Sequence, residues 1–190
     1  MAVTPEMLQW VERVLPEQRV RRRMLVLGNH HIWTCDGEPT QLDGVDRLVP
    51  WVRRQGFSCQ RTRYQLDSLR VSALGQFDVV LHIAIALGLN DQAGLFRALH
   101  DLCRSGGRML HCLPHKDKDS TLSHVYDIQF ARALAHMNDY GILDYHHVEG
   151  LCGMPAVCAA LVKRHDNPFA GIPVDLVTAL PTEDPDEQQD

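Results

Sequence analysis

Eleven histidines and six cysteines are the residues of this 190-residue chain best suited to chemistry. Two histidine pairs, His30-His31 and His146-His147, are adjacent in sequence. Neutral imidazole ligates metals and exchanges protons near neutral pH. Neighbours on an extended chain point to opposite faces, however, so each pair offers at most one ligand to a given site. Neither H-E-x-x-H nor another tight ligand spacing occurs, and no metal site is expected. The cysteines Cys35, Cys59, Cys103, Cys112, Cys152 and Cys158 form no C-x-x-C pair and stand mostly in apolar segments. That is the pattern of reduced core thiols. A nucleophilic role for Cys112 would need a base and an anion-stabilising site that no motif supplies, so packing is its expected work.

Three places invite a closer reading. His82 interrupts the apolar run FDVVLHI (Phe77 to Ile83). An imidazole there serves either as a general base or as a neutral core histidine hydrogen-bonded to a backbone carbonyl. His115 follows Pro114 at the end of another apolar run, where it faces a substrate crevice or solvent. The stretch VLGNHHIWTCDGEP, residues 26–39, begins as a buried strand and reaches Gly28, a residue suited to backbone with positive φ or to a close approach. It reads as a cofactor loop, a metal site or neither. Trp33 within it could stack on an adenine; more simply, Trp10, Trp33 and Trp51 anchor helices to a sheet.

The elements that would position these residues alternate in type. Thr4-Pro5 starts a helix with Met7, Leu8, Val11, Val14 and Leu15 at helical spacing, ending near Pro16. Met24 to Leu27 reads as a first strand, and Val45, Leu48, Val49 and Val52 as a second amphipathic helix closed by Gly56. Phe57 to Tyr64 follows as a strand. Phe77 to Ile83 is apolar on both parities, the mark of a strand covered on both faces at the centre of a sheet. Asn90 or Asp91 caps a helix with Phe96, Leu99 and Cys103 on one face, and Ser105-Gly106-Gly107 turns into a strand over Arg108 to Leu113. Asp119 or Ser120 starts a helix with Leu122, Tyr126, Phe130, Ala133 and Met137 in register. Ile142 to Val148 and Ala156 to Lys163 close the series as strands. Such alternation predicts an α/β sheet covered by helices, with function in the loops at the carboxyl ends of its strands.

Composition sets limits on partners. Nineteen basic against 24 acidic residues leave a net charge of -5, which argues against nucleic acid and anionic lipid. The basic cluster Arg19, Arg21, Arg22 and Arg23 is a solvated helix end or, alternatively, a phosphate grip. No apolar run approaches the ~20 residues that span a bilayer, and the acidic N-terminus does not resemble a signal peptide. A cytoplasmic protein is expected, in one domain over residues 1–166.

The segment FDVVLHIAIALGLNDQAGLFRALHDLCRSGGRMLHCLP, Phe77 to Pro114, resembles the second half of class I S-adenosylmethionine-dependent methyltransferases. An aromatic-Asp pair opens the family's fourth strand, a helix follows, and a Gly-Gly turn leads into the fifth. The flanks, a helix, then NDYGILDYHHVEG, then an apolar strand ending in Lys163-Arg164, resemble its last helix and closing strand pair. The resemblance covers roughly Met24 to Arg164 and is strongest from Phe77 onward. It implies a doubly wound, mostly parallel, Rossmann-like sheet, with one helix-strand unit shortened or missing between Gly28 and Asp78. It further implies S-adenosylmethionine held by Gly28, Asn29 and the Cys35-Asp36-Gly37 turn, with Asp67 the nearest acid for the ribose hydroxyls. His82 would lie beside the sulfonium, and His82 and His115 would be the catalytic residues.

Asn29, His30 and His31 stand where the family has small residues, and two functions therefore stay open. One is methyl transfer to a small-molecule acceptor. The other is a catalytically inactive methyltransferase-like domain serving as a structural or protein-interaction module, and a homo-oligomer fits either. Beyond the domain, residues 167–181 read as an extended arm and 182–190 as a disordered acidic tail. The tail has no large apolar group to bury. Deleting Thr182 to Asp190 should leave the melting temperature unchanged within error, and a drop of several degrees would show that the tail docks.

Overall fold

The computed structural model describes residues 5–15, 23–28, 31–35, 60–62, 74–83, 91–115, 124–151 and 154–179. The first helix, α1 (Pro5–Val14), has proline at its first position, where a missing N–H costs nothing. Met7, Trp10, Val11 and Val14 form its buried face. Among the described residues nine strands follow in chain order: β1 (Met24–Gly28), β2 (His31–Cys35), β3 (Gln60–Thr62), β4 (Phe77–Ile83), β5 (Cys103–Pro114), β6 (His124–Tyr126), β7 (Tyr140–Leu151), β8 (Met154–Lys163) and β9 (Val177–Ala179). Helix α2 (Gln92–Leu102) joins β4 to β5, and α3 (Phe130–Met137) precedes β7. Among the described residues no helix is long and apolar enough to cross a membrane.

Seven strands form one sheet in the order β3-β2-β1-β4-β5-β8-β7. Only β1 with β4 and β4 with β5 pair in parallel; the other four pairings are antiparallel. This corrects the doubly wound, mostly parallel, Rossmann-like sheet expected from sequence. The physical reason lies in two short connections. Only Asn29 and His30 separate β1 from β2, and only Cys152 and Gly153 separate β7 from β8. A parallel crossover needs a dozen or more residues, so each pair must be antiparallel.

β4 is the middle strand, as its two-sided apolar pattern requires. Val79, Leu81 and Ile83 pack with α1 and with Met24, Val26, Leu110, Cys112 and Cys158 on one face of the sheet. Phe77 and Val80 pack on the other with Leu25, Leu27, Met109, Ala159 and the apolar faces of α2 and α3. Among the described residues the two faces form two separate core clusters. At its amino end β4 is tied to its neighbours by Asp78, whose carboxylate accepts from the Arg23 backbone N–H at 2.7 Å and pairs with Arg104.

Asp91 caps α2, accepting from the Gly94 N–H at 2.7 Å. At the other end the buried Lys163 ammonium donates to the carbonyls of His100 and Cys103, both at 3.0 Å, and so satisfies groups that a helix terminus leaves open. Cys103, expected on the helix face, is instead the first residue of β5. The helix expected from Asp119 or Ser120 begins only at Phe130, and Tyr126 belongs to a strand. β6 pairs with β9 from the C-terminal arm, a long-range partner that outweighs the local helical phase. The arm docks further through Asn138, which donates to the Gly171 carbonyl and accepts from the Ala170 N–H. The helix expected at residues 45–52 lies outside the described residues, as do 182–190; of the strand expected over Phe57 to Tyr64, Gln60–Thr62 is described.

The Gly-Gly turn is a bulge inside β5. Phe77 pairs with Cys103 but Val79 with Arg108, so residues 104–107 stand against Asp78 alone and three residues are extra on the β5 side. Gly106 carries a φ of +74 with open space around it, whereas a Cβ on Gly107 would lie 2.8 Å from the Arg104 carbonyl oxygen and from the Cys103 sulfur. Gly106→Ala should therefore cost about 1 kcal/mol of backbone strain. Gly107→Ala should cost more, because backbone must move. Urea unfolding midpoints of the two variants check this order, and a Gly107→Ala protein at least as stable as Gly106→Ala counts against it.

Candidate functional site

The three parallel strands end side by side. Gly28 of β1 pairs with Ile83 of β4, and Ile83 with Cys112 of β5. One residue earlier, Leu27, His82 and His111 share a rung on the face covered by α2 and α3. His82 is fully buried and His111 is 1% exposed. Their Nδ1 atoms lie 3.4 Å apart. The edge of His82 meets the Phe96 ring of α2 with centroids 5.9 Å apart, and the same phenyl ring lies 5.5 Å from His111. Phe130 and Tyr126 extend the aromatic layer over Phe96.

Burial dictates the protonation of this pair. An imidazolium in an apolar core has no water to solvate it, so the His82 pKa falls from 6.5 to about 4. His111 falls well below its ordinary value for the same reason, with His82 adding to the effect. Both rings are neutral at pH 7. A contact between two Nδ1 atoms then requires opposite tautomers, one ring donating from Nδ1–H and the other accepting. A neutral imidazole so reluctant to protonate is a poor general base, and it serves better as a paired donor and acceptor. The partner of His82 is thus a second histidine, not the backbone carbonyl weighed from sequence.

His115 stands just beyond β5, partly exposed, with its backbone N–H donating to the Pro155 carbonyl. Its Nδ1 lies 3.1 Å from the Tyr126 carbonyl oxygen. The Tyr126 hydroxyl in turn donates to Gln92 Oε1 in the first turn of α2. His115, Tyr126 and Gln92 therefore join the end of β5, β6 and the start of α2 around the same end of the sheet as His82. Burial raises the Tyr126 hydroxyl far above its usual range, so it remains a donor at any working pH.

Of the other residues assigned to a cofactor from sequence, Gly28 lies at the carboxyl end of β1, opposite His31 of the hairpin. Asn29, Asp36, Gly37 and Asp67 lie outside the described residues. The adjacent histidines of β7 separate as strand geometry demands: His146 is 3.6 Å from Glu6 of α1, and His147 packs against the Tyr145 ring on the far face. Among the described residues no three His, Cys, Asp or Glu side chains gather as a metal site. Cys112 and Cys158 are buried thiols 3.3 Å apart between β5 and β8, with burial raising the Cys112 pKa well above its ordinary value. They are packing groups. Sequence reasoning did not find His111 as the partner of His82; the signal was its shared strand face, which only the register discloses. The sequence matches no protein-family model and no curated protein.

Acid should expose the cost of the neutral pair. The folded pKa of His82 lies below the unfolded value, so the unfolded chain takes up the proton first. Stability is therefore intact above about pH 6.5 and falls as the pH drops toward about 4, with His82 contributing about 3 kcal/mol over the window and His111 acting in the same direction. Thermal melts from pH 7.5 to 4.5 should show this loss, and His82→Leu/His111→Leu should flatten it. Identical pH dependence in the wild type and the double variant would exclude the pair as its source.

Proposed function

We propose that the chain is an S-adenosylmethionine-dependent methyltransferase of the cytoplasm acting on a small-molecule acceptor. One observation carries this reading. The segment that bears the resemblance runs as strand, capped helix, strand with a Gly-Gly bulge, short strand β6, helix and closing strand pair, and β6 stands where the resemblance has only helix. The carboxyl ends of β1, β4 and β5 lie together, with Gly28 beside Ile83 and the His82-His111 rung directly beneath. Parallel strand ends are where open α/β sheets bind ligands. Methyl transfer asks little of side chains beyond aligning a nucleophile with the sulfonium methyl and excluding water. The dry aromatic layer of Phe96, Tyr126 and Phe130 fits that demand. His115, partly exposed at the same end, is the residue available to touch an acceptor. The acidic net charge suits a small molecule better than bulk nucleic acid.

A specific observation favours a second reading, a catalytically inactive domain that binds a protein partner. β1 returns at once as β2, so the two residues after Gly28 link a hairpin instead of opening a long glycine loop. Titration with S-adenosylmethionine and S-adenosylhomocysteine separates the two readings. A bound cofactor stabilises the fold by ~2.7 kcal/mol at a hundredfold excess over its dissociation constant. The enzyme reading expects such a rise in melting temperature, abolished in Gly28→Val, whose side chain would obstruct a cofactor lying against the backbone. No stabilisation at millimolar ligand would leave the partner-binding reading in its place.

A further inference from the structure

Among the described residues three buried polar side-chain atoms have no hydrogen-bond partner: His82 Nε2, His111 Nε2 and Tyr145 Oη. The register places all three residues on a single rung of the sheet. His82 stands opposite His111, His111 opposite Ala159, and Ala159 opposite Tyr145. They also share a face. Ala159 and Tyr145 belong to the core under α2 and α3, and both histidine rings pack against Phe96 of α2. Buried orphan groups are rare and call for an explanation; three on one rung call for a common one.

Ring geometry gives the row a direction. Nδ1 of His111 faces His82, so its Nε2 lies on the other side of the ring, away from β4. On β8 the row presents only the methyl of Ala159, and Tyr145 follows on β7. His111 and Tyr145 are thus two strands apart, about 10 Å along the hydrogen-bonding direction, with a small residue between them. Tyr145 is half-buried and its ring sits below the exposed Arg132 guanidinium, 4.6 Å from the centroid, and beside exposed His147. This end of the row is the one nearest solvent.

We propose that the row is an internal water site and proton path, in which water held over Ala159 bridges His111 Nε2 and Tyr145 Oη and connects His82 to solvent. The ligand is uncharged because the row is: both imidazoles are neutral, and no carboxylate or cation is buried among them. In the conducting tautomer His82 carries its hydrogen on Nδ1 and His111 carries its own on Nε2. A proton arriving at His82 Nε2 releases the Nδ1 hydrogen to His111 Nδ1. His111 passes its Nε2 hydrogen to the water, the water passes one of its own to the Tyr145 oxygen, and the former tyrosine hydrogen passes to a solvent water that reaches the oxygen when the half-buried ring moves outward. One proton enters and one leaves, and no imidazolium persists in the core. The path stands whether or not a cofactor binds at Gly28.

Tyr145→Phe tests this, since it deletes only the orphan oxygen. Removing a hydroxyl that binds nothing is neutral or stabilising, whereas removing one that holds water strands the water and His111. The melting temperature should fall by about 2–4 °C. In protein carrying 15N-labelled histidine, solvent exchange of the His111 ring N–H should slow at least tenfold in the folded variant. A variant that melts at or above the wild-type temperature overturns the proposal, and so does a ring exchange rate untouched by the substitution. Loss of S-adenosylmethionine binding bears on neither readout.

Discussion

The burial of β4 on both faces is the constraint from which the rest of the structure follows. A strand whose odd and even side chains are both removed from water needs a sheet neighbour on each edge and a helix layer on each side. β1 and β5 supply the edges; α1 supplies one layer, and α2 with α3 the other. The only polar side chain in its interior, His82, is then fully buried from bulk solvent. It must be neutral and must find a partner inside the core, and His111 on the next strand is that partner. The chemistry of the site is thus a consequence of packing: desolvation chooses the protonation state before any substrate arrives.

The outer strands show a second constraint, that of chain length. Two-residue links after β1 and β7 leave no room for crossover helices, so the sheet turns antiparallel on both flanks of its parallel centre. The consequence for function is an asymmetry between the two sides of Gly28. Toward β4 it borders the parallel strand ends and the histidine rung; toward β2 it borders its own hairpin. Among the described residues, those beyond Gly28 on its parallel side are the ends of β4 and β5 and the start of α2, where Gln92, Tyr126 and His115 interlock.

What was legible in the sequence divides along physical lines. β4 was legible to its ends because two-sided burial writes an apolar residue at nearly every position. α2 was legible from Asp91 and from apolar residues at helical spacing. β6 was not, because Tyr126 and Phe130 are also four apart and satisfy a helix as well as a strand; the deciding partner, β9, lies some fifty residues downstream. Strand direction was misread because alternating strands and helices look alike in parallel and mixed sheets, although the short Asn29-His30 and Cys152-Gly153 links carried the signal. At the site, His82 was legible as a polar residue inside an apolar run. Its partner was not, since pairing across strands depends on register, which no local pattern encodes.

That register has an identifiable cause. Between the Phe77–Cys103 and Val79–Arg108 pairings β5 has four residues against Asp78 alone on β4, and the three in excess shift the pairing of every later residue of the two strands. Continued from Phe77 and Cys103 without the bulge, the ladder would set His82 opposite Arg108, a cation against a buried imidazole. With the bulge, His82 meets His111, which the separate registers of β5 with β8 and of β8 with β7 hold in line with Ala159 and Tyr145. The β5–β8 register sets Cys112 opposite Cys158 on the other face, so the thiols and the imidazoles are held in separate cores by a single strand. Gly106 permits the positive φ of that bulge and Gly107 its tight contact with Arg104 and Cys103. The double glycine that first reads as a simple turn is in this way the element that brings His82 onto the rung of His111, from a distance of several residues and without contributing a side chain to it.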